Sequence, residues 1–291
     1  MFQIIGIVVL FAMVFGSFII SGGKMAVVLS ALPHEMMAIG GAGVAAFMIS
    51  NSMTVIKATG GGIAKAFAGP KWKAGDYRDL LSLLFLLTKT MKSKGVIALE
   101  SHIEKPGEST IFARYPRLTK DHFAIDFICD TLRMMTMNLE DPHQVESAME
   151  KQLEKHHHEA LGPSHALQSL ADALPALGIV AAVLGVIKTM GSITEPPEVL
   201  GSMIGGALVG TFLGVFLAYG MVGPIATRMQ AIVDEESAFY RIIQSVLVAH
   251  LHGNAAQISV EIGRGDIPSQ SQPSFLEMEE ALSAAPGAEG G

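Results

Sequence analysis

The sequence is short of charge, cysteine and strand-like alternation, and each shortage excludes something. Only 16% of its 291 residues are Asp, Glu, Lys or Arg, where soluble domains carry about a quarter. The single cysteine, Cys129, excludes a disulfide within the chain. It stands in no metal-ligand spacing, so it reads as a buried thiol. A net charge of −7 leaves no basic excess for nucleic acid. No nucleophile and base are spaced to meet. Gly60-Gly61-Gly62 lacks the Gly-Lys-Ser/Thr of a phosphate loop. His34-Glu35 and His158-Glu159 lack the second histidine of a zinc protease helix, with Ala38 and Gly162 in its place. Three consecutive histidines, His156 to His158, would point in three directions on a helix, which favours structural or solvated groups over metal ligands. The expectation is a protein that is not an enzyme and holds no cofactor.

Apolar sequence is abundant instead. Half of the residues are hydrophobic and the mean hydropathy is +0.43. Crossing a bilayer takes about 20 mostly apolar residues. Four runs qualify: Met1–Ile20, Glu35–Ile56, Leu174–Met190 and Leu200–Pro224. The first has no basic start and no small-residue cleavage motif, so it reads as a span rather than a removed signal. Leu80–Leu87 is as apolar but is bracketed by Arg78, Asp79 and Lys89, which makes it the core of a soluble helix. The expected fold is an all-α integral membrane protein with four transmembrane helices and a helical cytoplasmic domain between spans 2 and 3. Its divisions are residues 1–56 (spans 1 and 2), 57–171 (cytoplasmic domain), 172–225 (spans 3 and 4) and 226–291 (C-terminal helix and tail). Lys57, Lys65, Lys71 and Lys73 follow the second span and Arg228 the fourth, while the opposite loops hold Lys24 and the pair Glu195 and Glu198. This bias places both termini and the long middle segment in the cytoplasm.

Within that segment, Asp76 begins a helix expected to run to Lys94 with Gly95 as its stop. A second helix starts near Asp121, with Phe123, Phe127, Ile128, Leu132 and Met135 at core spacing. Asp141-Pro142 opens a third, with Val145, Met149 and Leu153 as its apolar stripe. The segment ahead of Gly162-Pro163, which holds His156 to His158, reads as a linker, and the Ala-, Gly- and Glu-rich tail beyond Glu277 as unstructured.

The last two spans contain no carboxylate. They can line an ion path, but a proton would need a partner's acid. Ser202, Gly206, Gly210, Gly214 and Ala218 recur every four residues down span 4, a smooth face along which another backbone can approach. Gly178, Ala181, Ala182 and Gly185 do the same on span 3. Ordinary packing within the chain and a sliding contact with another chain's helix both fit this face. Thr211 sits within the ladder's turn as the one hydroxyl at depth.

The stretches Leu174-Pro-Ala-Leu-Gly-Ile-Val-Ala-Ala-Val-Leu-Gly185 and Val209-Gly-Thr-Phe-Leu-Gly-Val-Phe-Leu-Ala-Tyr-Gly220, followed by Pro224, resemble the MotA family of flagellar motor stator A subunits. Asp79-Leu-Leu-Ser-Leu-Leu, Gly95, Leu99-Glu100 and Ile103-Glu-Lys-Pro106 match in order and spacing, as do Gln257–Arg264 and Pro273–Glu277. The related TolQ and ExbB energy-transducing subunits typically have three spans; they are the alternative. The resemblance implies a proton channel in the bacterial inner membrane, with five A subunits around a dimer of a MotB-like subunit. That partner supplies the membrane aspartate, and a rotor switch protein receives the motion. Carried over by position, Lys92 and Glu100 would contact the rotor, although the best-known members have arginine where Lys92 stands. Pro175 and Pro224 would couple ion flow to movement, although Pro175 also reads as a first-turn proline after Asp172. Ala182 and Thr211 would line the ion path. Sodium-driven members have a threonine where Ala182 stands, so the implied ion is the proton.

Overall fold

A computed structural model describes residues 2–137 and 141–284. Among them all regular structure is helical. Contacts divide the chain into two units, one of residues 1–69 and 160–232, the other of residues 70–159 and 233–291.

The first unit opens with α1 (Phe2–Ile20), which has no buried residue. At 19 residues and apolar all round, it is long and apolar enough to cross a membrane. It stops at Gly22, whose φ of +83° suits glycine. Next come α2 (Met25–Glu35), a π-helical turn at Met36–Gly40 and α3 (Gly41–Ser50), together one 26-residue apolar stretch. The second span therefore begins ten residues before the expected Glu35 and ends at Ser50 rather than Ile56. Ser52 is the reason: its side chain accepts a hydrogen bond from Val55 N (3.4 Å) and starts a separate helix, α4 (Met53–Ala68). Glu35 thus lies near the middle of a span.

In the second unit, Asp76 receives the Lys73 N–H (2.9 Å) at the start of α5 (Ala74–Lys94), which Gly95 ends with φ +81°. Leu80, Leu81, Leu83, Leu84 and Leu87 are fully buried. The short helices α6 (Glu100–Glu104) and α7 (Pro116–Thr119) lead to α8 (His122–Thr136), whose Asp121 cap accepts from Ala124 N (2.8 Å). Phe127, Ile128, Leu132 and Met135 of α8 are buried as their spacing predicts.

Helix α9 (Pro142–Met190) is continuous, with Pro163 and Pro175 inside it. The segment ahead of Gly162-Pro163 is therefore helix rather than linker, and Pro175 is interior rather than first-turn. Val145, Met149 and Leu153 of α9 are buried in the second unit. The remaining elements are α10 (Pro197–Val215), a π-helical stretch at Phe216–Val222, α11 (Gly223–Leu251), α12 (Ala256–Gly265) and α13 (Phe275–Ser283). Phe239, Ile242, Ile243, Val246 and Leu247 of α11 complete the second unit's core. The tail expected to be unstructured folds as α13 up to Ser283. Ser274 and Glu277 form a capping box, and Met278 and Leu282 are buried. The rest of that tail lies outside the described residues.

Four helices are long and apolar enough to cross a membrane: Phe2–Ile20, Met25–Ser50, the apolar end of Pro142–Met190, and Pro197–Leu251 over its first part.

Candidate functional site

The residues singled out in spans 3 and 4 meet in the first unit, where α9 and α10 approach backbone to backbone. A methyl on Gly178 would sit 2.8 Å from the Gly210 carbonyl and 3.1 Å from Gly214 Cα. One on Gly214 would lie 2.6 Å from the Leu174 carbonyl. One on Gly185 would lie 2.6 Å from the Ala207 methyl. Side chains larger than hydrogen would hold the helices apart, which is why glycine recurs here. Ala182 and Thr211 are half-buried beside this seam.

The other side of α10 receives α2. A methyl on Gly205 would meet Val27 at 3.1 Å, and one on Gly206 would meet Ala31 at 3.7 Å. At Gly210 the neighbours are the Glu35 carboxyl and the Ala181 methyl. Gly206, Gly210 and Gly214 thus meet α2 and α9 within the chain. Glu35 Oε2 is buried here without a hydrogen-bond partner among the described residues. Sequence reasoning put Glu35 at the start of the second span and gave it no role; the signal was a glutamate two residues after Pro33 at the edge of an apolar run.

Pro175 lies inside α9, and Pro224 follows the π-helical stretch Phe216–Val222. Proline lacks the N–H of the helical ladder and crowds the carbonyl four residues back. The widened turn before Pro224 accommodates that carbonyl. Aromatic rings grip the start of this stretch: Phe11 meets Phe216 edge-on at 5.2 Å and Phe15 meets Phe216 at 5.6 Å, fastening α1.

Lys92 and Glu100 belong to the second unit. Both are exposed, on either side of the 3-10 turn at Val96–Leu99. Neither makes an ion pair among the described residues, so both charges face solvent.

Elsewhere in this unit a polar knot has formed that the sequence did not announce. Asp121 accepts hydrogen bonds from Lys71 Nζ (2.6 Å), Ala124 N (2.8 Å) and Tyr240 Oη (3.0 Å). Burial alone would raise its pKa, but these three donors together hold it below the usual carboxylate range. Burial, then the Asp121 charge, pushes the Tyr240 hydroxyl well above its ordinary value. His156 stacks on Phe123 at 3.6 Å, and burial lowers its pKa. His157 faces Ser237 (2.6 Å) and Asp234 (3.4 Å). Among the described residues no group of three or more His, Cys, Asp or Glu side chains is placed to hold a metal.

Comparison with known proteins fits this architecture. Residues 4–95 match the model of the motility protein A N-terminal region, and residues 120–241 that of the MotA/TolQ/ExbB proton channel family. Motility protein A of Salmonella typhimurium is 38% identical over 284 residues, covering 98% of this chain and 96% of the relative. Chemotaxis protein LafT of Vibrio parahaemolyticus is 34% identical over 285 residues, covering 98% and 99%. Among solved structures, the MotAB complex of C. jejuni superposes with a TM-score of 0.71 at 18% identity, covering 94% of this chain and 98% of that one. The flagellar MotAB stator complex of Bacillus subtilis gives 0.65 at 19%, covering 89% and 92%.

Proposed function

The chain belongs to the MotA/TolQ/ExbB proton channel family, among its motility protein A members, and from that premise we propose how it works. It is the A subunit of the ion-driven flagellar motor stator, a membrane protein that acts with a B subunit to turn ion flow into torque. The observation that carries this reading is the near-full-length identity to motility protein A, on a chain with four span-capable helices. Four such helices support this reading over the typically three-span TolQ and ExbB subunits.

The mechanism follows from what the chain has and lacks. Spans 3 and 4 hold no carboxylate, so the principal proton-carrying acid is an aspartate on the single membrane helix of the B subunit. Five copies of this chain surround two copies of that partner, with both termini of each copy in the cytoplasm of a bacterium. Ala182 and Thr211 line the path. A methyl group at Ala182 offers no oxygen to replace sodium's water shell, which supports the proton as the coupling ion. Pro175 and Pro224, where the helical ladder lacks an N–H, are where the spans yield as ions pass. Lys92 and Glu100, both exposed, meet oppositely charged groups of the rotor. Nothing in this cycle makes or breaks a covalent bond of a substrate.

The deciding experiment co-expresses the chain with its genomic neighbour in a stator-less strain. A single-span protein with a membrane aspartate should copurify, and swimming should return and be lost when that aspartate becomes alanine. Purification without such a partner refutes the reading. Torque that scales with sodium at fixed pH refutes proton coupling alone.

A further inference from the structure

The second span carries a carboxyl group that the cycle above leaves unused. Glu35 stands between Pro33 and the π-helical turn Met36–Gly40, two departures from regular geometry within one stretch of helix. Its Oε2 is buried and no donor reaches it among the described residues. A methyl on Gly210 would meet the Glu35 carboxyl carbon at 3.1 Å and the Ala181 methyl at 3.3 Å, which places the carboxyl where α2, α9 and α10 converge.

The surroundings decide its charge state. Gly210 and Ala181 face it, and both are apolar. The only titratable group of α10 is Glu198, and the spanning part of α9 has Asp172 and Lys188, nine and seven residues along the chain from Ala181. The turn Met36–Gly40, α1 and α3 have none, and His34, next to Glu35 on α2, is exposed. An ionised carboxylate without a cation or donor is costly in such a place, whereas a neutral acid is not. Ionisable groups inside membrane spans mark substrate or ion paths, proton relays, voltage sensors or ligand counter-ions.

We infer that Glu35 is a proton-binding residue of this chain, neutral while closed against Gly210 and ionised when the seam between α2 and α10 admits water. The transfer is balanced by water alone: the O–H bond of the acid breaks, the carboxylate keeps the electron pair, and water carries the proton onward. Proton release and separation of α2 from α10 are then linked, each favouring the other. This inference rests on the stator reading and adds to it a second acid, supplied by the A subunit.

The test separates the two. The chain is purified with a B subunit whose membrane aspartate is replaced by asparagine, and infrared difference spectra are recorded across a pH titration. The expected result is a protonated-carboxyl band that fades as pH rises, shifts in Glu35→Asp and is missing in Glu35→Gln. With the intact B subunit, Glu35→Gln should rotate tethered cells more slowly and with a flattened dependence on external pH, and Glu35→Asp should restore that dependence. An unshifted band in Glu35→Asp, or wild-type speed and pH profile in Glu35→Gln, overturns the inference and leaves the stator reading intact. Failure of the unsubstituted chain to support rotation overturns both. If Glu35→Gln does not assemble, the Glu35→Asp spectrum decides.

Discussion

Replacing Asp121 by alanine removes three interactions at once, and their sizes can be worked from the geometry. The cap on Ala124 N is a 2.8 Å hydrogen bond at the start of α8, and losing such a cap costs about 1 kcal/mol. Tyr240 is 5% exposed and would keep its hydroxyl without an acceptor, a cost of roughly 1–3 kcal/mol. The Lys71 partner is 39% exposed on its side chain, so water recovers most of that ion pair and it adds less than about 1 kcal/mol. The expected loss for Asp121→Ala is about 3 kcal/mol, since neighbouring terms do not simply add. Asp121→Asn keeps an oxygen for the cap and loses the charge, so it should cost about 1 kcal/mol. The chain's one tryptophan, Trp72, stacks on Phe239 at 4.0 Å in the same unit and reports its melting directly. At roughly 2–4 °C per kcal/mol, Asp121→Ala should melt about 6–12 °C lower by tryptophan fluorescence of the purified chain. The pH dependence has a definite sign. Because the folded carboxyl is held below its ordinary value, its stabilisation is complete above the unfolded pKa and is lost as pH falls through the folded one. Equal melting of both variants, or no shift for alanine, would refute this account of the knot.

Three further outcomes follow from local geometry. Gly206→Ala should preserve assembly, because its methyl finds the nearest atom at 3.7 Å; Gly214→Ala meets the Leu174 carbonyl backbone and should reduce recovery of the complex by copurification. Glu100→Lys reverses an exposed charge, so rotation should fail while the complex still purifies intact; loss of the complex would make the residue structural. Burial pushes the Cys129 thiol up to about 12, so maleimide should label it only when the purified chain unfolds. Labelling of the folded chain at the rate of a free thiol would contradict that burial.

The second span shows where sequence reading stops. Hydropathy locates an apolar run, but Ser52 ends one helix and starts another through a single side-chain bond that a window average does not register. Pro163 and Pro175 make the same point from the other side. Proline usually marks a boundary, yet α9 runs through both, because surrounding contacts outweigh the lost hydrogen bonds. The glycine ladder was legible as a packing face, but its occupants were not. Gly206 and Gly214 have identical spacing, yet one faces Ala31 of α2 and the other Leu174 and Gly178 of α9.

By itself the sequence determined the all-helical class, the four apolar spans, the buried run at Leu80–Leu87 and the starts at Asp121 and Asp141-Pro142. Each of these depends on composition, period or a cap within a few residues, so local chemistry suffices. Tertiary structure alone decided that Glu35 lies opposite Gly210, that Asp121 gathers Lys71 and Tyr240, and that Met278 and Leu282 hold the last helix in the core. Those facts join residues from distant parts of the chain. Periodicity states which face of a helix is apolar or smooth; only packing determines which surface that face meets.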